Sequence, residues 1–95
     1  MSSAQPHGGM SVGEIKQLLS QKDSDADSLF RTFYDEDNNR FWNQCVELYA
    51  AFSEKFISTG HPTRAFELVR EGLQYYGNDR RLQYLNALAL ARGRN

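Results

Sequence analysis

Apolar positions recur at helical spacing along most of this 95-residue chain, and polar or glycine-containing breaks divide the pattern into five stretches. Ser11 and Glu14 make an S-x-x-E capping box, in which the hydroxyl takes a free amide of the first turn and the carboxylate reaches back. Val12, Ile15, Leu18 and Leu19 follow as one stripe, predicting a short helix that ends near Gln21. Lys22 to Asp27 is a polar turn with Ser24 and Asp25 as candidate caps. Leu29, Phe30, Phe33 and Tyr34 then mark a second short helix. The run Asp35-Glu36-Asp37-Asn38-Asn39 stops or bends it, and its acids would suit the positive end of a following helix.

The third helix is predicted to be the longest, from about Arg40 to Thr59. Phe41, Cys45, Val46, Leu48, Tyr49, Phe52, Phe56 and Ile57 cover more than one stripe, the pattern of a helix sandwiched between neighbours. Gly60 is placed for a left-handed C-terminal cap, and Pro62 for the first turn of a fourth helix. That helix carries Ala65, Phe66, Leu68, Val69, Gly72, Leu73 and Tyr76 and closes at Gly77. Asn78 or Asp79 caps a fifth, with Leu82, Leu85, Leu88 and Ala89 on it and Gly93 as terminator. Strict alternation is absent and β-branched residues are sparse, so the expected class is all-α, with antiparallel helical hairpins. Residues 1–10, MSSAQPHGGM, are small and polar; they are expected as a disordered leader or an expression remnant, and residues 11–95 as one helical domain.

The third and fifth helices repeat one another. Tyr49, Phe52, Ser53, Phe56 and Gly60 align with Leu82, Leu85, Asn86, Ala89 and Gly93. The stretch from Tyr49 to Gly77 resembles a tetratricopeptide repeat, whose pattern of bulky, small and glycine positions is met by Tyr49, Phe52, Ser53, Phe56, Gly60, Ala65, Val69 and Gly72. Small residues at Ser53, Ala65 and Gly72 would let helix backbones approach while the large ones fill the gaps. His61 and Pro62 stand where the family has acidic and aromatic residues, and Gly77-Asn78 replaces its proline. The resemblance implies a short solenoid of about five helices acting as a scaffold for protein contacts.

The balance of charge is -1, which speaks against a nucleic-acid footprint. Its distribution changes the picture more: the acids crowd the first half, and Arg64, Arg70, Arg80, Arg81, Arg92 and Arg94 crowd the second. Such a dipole can steer a partner or favour head-to-tail contact. Aromatic residues are dense from Phe30 to Tyr84, and disordered segments are poor in them, so that stretch is expected to fold. A single cysteine, Cys45, forms no internal disulfide and fits a reducing, cytoplasmic setting. No apolar run has the length of a membrane span.

Candidate chemistry is thin. Asp23-Ser24-Asp25-Ala26-Asp27 opens like a calcium loop, but Ser28 and Tyr34 stand where that loop needs glycine and glutamate, and capping accounts for the acids. His61 has no second ligand at metal spacing, and Cys45 reads as a buried, inert thiol. No phosphate loop, nucleophile elbow or zinc-protease motif is present, so neither an enzyme nor a cofactor is expected. Helical phase instead puts Trp42, Tyr75 and Tyr84 off the main stripes, with Asn43, Gln44, Glu47 and Arg81 as polar companions for a bound peptide or protein. Leu82, Leu85 and Leu88 of the last helix are expected to lie uncovered, as a self-association face or as the seat of further chain. The expected function is a protein-interaction scaffold; the alternatives are a homodimerising module or a regulatory domain of a larger enzyme.

Overall fold

The computed structural model describes residues 10–94. Five helices make up most of it: α1 (Val12–Ser20), α2 (Ala26–Phe33), α3 (Val46–Ser58), α4 (Pro62–Tyr75) and α5 (Arg80–Gly93). Two short strands, β1 (Tyr34–Asp35) and β2 (Arg40–Phe41), interrupt the series between α2 and α3. The described residues are thus all-α apart from one small hairpin. The leader expected over residues 1–10 falls outside the described residues except for Met10, which is half-buried against the core.

Local chemistry sets the helix ends. Ser11 Oγ accepts from the Glu14 amide at 3.1 Å while Glu14 Oε1 accepts from the Ser11 amide at 2.8 Å, the full capping box. Asp25 caps α2 through the Ser28 amide, and Asp79 caps α5 through the Leu82 amide. At the end of α3, Gly60 takes φ 88°; its amide donates to Ile57 O and the His61 amide to Phe56 O. These are the two hydrogen bonds of a Schellman motif, which needs a residue without a side chain in the left-handed position. Pro62 then opens α4, and the tight connection turns α4 back along α3.

The predicted third helix is corrected at its start. Arg40 and Phe41 pair with Asp35 and Tyr34 in an antiparallel hairpin, and helix begins only at Val46. The acids of the Asp35–Asn39 run therefore do not serve a helix N-terminus. Asp35 is buried, and its carboxylate accepts from the Asp37 amide at 3.1 Å and Asn38 Nδ2 at 2.7 Å, folding the turn around itself. Asn39 closes the turn at φ 54°, a conformation asparagine tolerates better than most residues. Phe41 drives the change. Its ring is fully buried, stacked on Phe52 at 5.3 Å and edge-on to Tyr49 at 4.9 Å, an arrangement that rewards an extended backbone at residue 41.

α3 is the centre of the molecule, packed against α1, α2, α4 and α5. Leu48, Tyr49, Ala50, Phe52, Ser53, Phe56 and Ile57 are all buried, as the two-sided apolar pattern required. Phe30 joins Tyr34, Phe41, Phe52 and Phe56 in a cluster of aromatic rings beneath the hairpin. The fifth helix is also corrected. Leu82 and Leu85 are buried in this chain's own core against α3 and α4, and only Leu88 of the three stays partly accessible. The reason is that α5 folds back on both preceding helices, so the stripe Leu82, Leu85 and Ala89 is already covered.

Candidate interaction surface

The hairpin is fastened to α4 by a shared carboxylate. Tyr34, the first residue of β1, donates its hydroxyl to Glu71 Oε1 at 2.5 Å, and Tyr49 of α3 donates to Glu71 Oε2 at 3.0 Å. Gln44 Nε2 in turn lies 3.4 Å from the Tyr49 hydroxyl. Burial, then the neighbouring carboxylate, pushes the Tyr34 phenol well above its ordinary value. Burial does the same for Tyr49, where the Gln44 hydrogen bond partly offsets it and Glu71 adds to it. Both oxygens of Glu71 are thus occupied, and the arrangement positions backbone rather than presenting a free acid or base.

Two open clefts flank the fastened hairpin. On one side Trp42 lines a groove of about 500 Å³ with Arg31, Thr32 and the acids Asp35, Glu36 and Asp37. The Trp42 amide donates to Phe33 O at 2.9 Å, which holds the backbone in line with the hairpin while the indole stays exposed. On the other side the hairpin tip, Asn38 and Asn39, faces α4 across a cleft of about 580 Å³. Tyr75, Gln74 and Arg70 line its far wall; the Arg70 guanidinium lies 5.5 Å from the centre of the Phe66 ring. Tyr75 is half-exposed and leans its ring on Tyr49 and Tyr76.

The residues singled out from sequence do not form one surface. Trp42 and Tyr75 lie in separate clefts. Asn43 is exposed in the bend after Trp42. Gln44 is partly buried and turned to Tyr49. Glu47 pairs with Lys16 of α1 at 3.2 Å, an exposed ion pair of small energetic weight that ties it to another part of the molecule. Arg81 and Tyr84 are exposed on α5. Of the remaining candidates, Asp25 serves as a cap and Asp27 pairs with Arg64, whose guanidinium also sits over Phe30 and Phe56. Cys45 lies at the N-cap of α3, half-buried, rather than within the helix. His61 is exposed, with Nδ1 3.2 Å from Thr59 Oγ1.

Tyr34, Glu71 and the tip asparagines Asn38 and Asn39 were not foreseen as parts of any site. Tyr34 and Glu71 are separated by 37 positions, and no local pattern marks their pairing. The Asp-Glu-Asp-Asn-Asn run was the one available signal, since such residues favour tight turns as readily as helix caps. Among the described residues no helix is long and apolar enough to cross a membrane. Compared with known protein families, with curated proteins and with solved structures, the chain shows no significant match.

Proposed function

We propose that this chain is a protein-interaction module, a tetratricopeptide-like helical scaffold and not an enzyme in its own right. One observation carries the reading. The core closes around twelve buried apolar side chains on α3 to α5, yet Trp42, Tyr75 and Tyr84 remain 46%, 47% and 64% exposed. Exposed aromatics of this size supply most of the energy where proteins recognise one another. Two further features support the helical-repeat part. Gly60 makes the turn between α3 and α4, and Gly72 leaves room on α4 for Tyr49 of α3 and Leu82 of α5. Open grooves of several hundred Å³ suit a polypeptide surface better than an enclosed small molecule. The homodimer reading loses support, because two of its three residues, Leu82 and Leu85, are in the core.

The test is selection of ligands from a random-peptide display library on the immobilised chain, followed by affinity measurements on Trp42→Ala, Tyr75→Ala and Tyr84→Ala. At least one of these should lower the affinity of an enriched peptide about tenfold or more, the range of an interface hot spot, with an unchanged melting temperature. A library that yields no specific ligand, or ligands indifferent to all three changes, refutes the reading.

A further inference from the structure

α5 is apolar on two faces. The inward stripe, Leu82, Leu85 and Ala89, packs into the core. A second stripe, Tyr84, Ala87, Leu88 and Ala91, follows the i, i+3, i+4, i+7 spacing and is largely solvent-facing, with Leu88 at its border with the core. Tyr84, Ala87 and Ala91 are exposed, and Leu88 is half-buried, packed along the edge of the core. α3 has the same two-sided pattern and is covered on both sides, which shows what such a helix calls for in this fold.

Charge says what the cover is. From Arg80 to Arg94 there are four arginines and no acidic residue, whereas the rest of the chain holds seven bases and twelve acids. Arg81 and Arg92 border the outward stripe, one near each end. We infer that this face docks an acidic amphipathic helix of a partner protein, its apolar stripe on Tyr84 and Leu88 and its carboxylates on the flanking arginines. The inference rests on the interaction-module reading and names the partner class for one of its surfaces. A helix of this kind is a common occupant of apolar helical faces, read through the same i, i+3, i+4, i+7 anchors. A second copy fits worse, since pairing α5 with itself brings arginine rows together, and like charges across an interface are penalised. An anionic bilayer fits worse as well, because the acidic remainder of the molecule is repelled by it.

The experiment uses the full chain and a designed helical peptide of leucine, alanine and glutamate heptads, with a counterpart in which lysine replaces every glutamate. Fluorescence anisotropy should show the glutamate peptide binding about tenfold or more tightly than the lysine peptide, with affinity falling as salt is raised. Arg81→Glu with Arg92→Glu, and separately Tyr84→Asp, should each weaken it about tenfold. All three positions are exposed, so the circular-dichroism melt should not move. Absence of binding, or equal binding of the two peptides, overturns the inference. So does recruitment to phosphatidylserine vesicles without peptide binding. A dimer that Tyr84→Asp dissolves overturns it too, assigning the face to self-association. Peptide binding that survives the α5 changes but is lost in Trp42→Ala or Tyr75→Ala overturns the α5 assignment alone and leaves the interaction-module reading standing.

Discussion

The ring of Tyr49 lies directly against the backbone of Gly72: a methyl group at Gly72 would come within 3.0 Å of Tyr49 Cγ and 3.1 Å of Leu82 Cδ1. Three helices meet at this point, and the missing side chain is what allows it. Neither neighbour can retreat, because Tyr49 and Leu82 are both fully buried. Gly72→Ala would gain about 1 kcal/mol of helix propensity but meet an overpacking cost of about 1–3 kcal/mol. The expected result is a net loss of roughly 1 kcal/mol, read from the midpoint of urea unfolding. An unchanged or higher midpoint would mean that α4 and α5 shift freely around Tyr49.

Glu71 holds the hairpin through Tyr34 and α3 through Tyr49, so its removal should cost more than either phenol. Tyr34→Phe and Tyr49→Phe each delete one charge-assisted hydrogen bond, worth about 1.5–3 kcal/mol. Glu71→Leu leaves both hydroxyls without their acceptor. In a double-mutant cycle, Glu71→Leu with Tyr34→Phe should be less damaging than the sum of the two single changes. Strict additivity would show that the bond carries no coupling energy.

The raised phenol pKa values set an alkaline limit. Tyr34 and Tyr49 ionise in the folded chain well above the ordinary tyrosine value of 10.0, and Tyr76 is shifted upward too, chiefly by burial. Below pH 10 the phenols are neutral in both states and their contribution is intact. Above it the unfolded chain releases protons that the folded chain keeps, so stability falls with a slope of about 1.4 kcal/mol per pH unit for each such tyrosine. Denaturation followed from pH 8 to 11 should be flat and then descend, and Tyr49→Phe should make the descent shallower. A slope unaltered by that substitution would contradict the assignment.

Ser53 is buried, and its hydroxyl oxygen has no hydrogen-bond partner in the structure. Ser53→Ala removes an unpaired polar group, fits the same space and improves helix propensity. A gain of about 1 kcal/mol is expected in the same urea assay. A loss would place an ordered water on Ser53 Oγ.

Helix existence and most helix ends were legible in the sequence because they rest on neighbours in the chain. The Ser11–Glu14 box, the Asp25 and Asp79 caps, Gly60 and Pro62 each act within one turn of themselves. The exposure of Tyr75 and Tyr84 agrees with their helical phase, whereas Trp42 is exposed in a bend outside any helix. The hairpin was not legible. Its strands are two residues long, too short for alternation to show, and Phe41 fits a helical stripe as well as a strand.

What the sequence determined by itself is therefore the five local helices, most of their caps and the two-sided character of α3. Tertiary structure alone decided three things: that Phe41 is held by Phe52 and Tyr49, that Tyr34 and Tyr49 converge on Glu71, and which stripe of α5 turns inward. These depend on contacts between residues far apart in the chain, where the gain comes from burying rings and pairing hydroxyls across elements. Periodicity along one helix records that a face is apolar, but the identity of what covers it is fixed only when the elements meet.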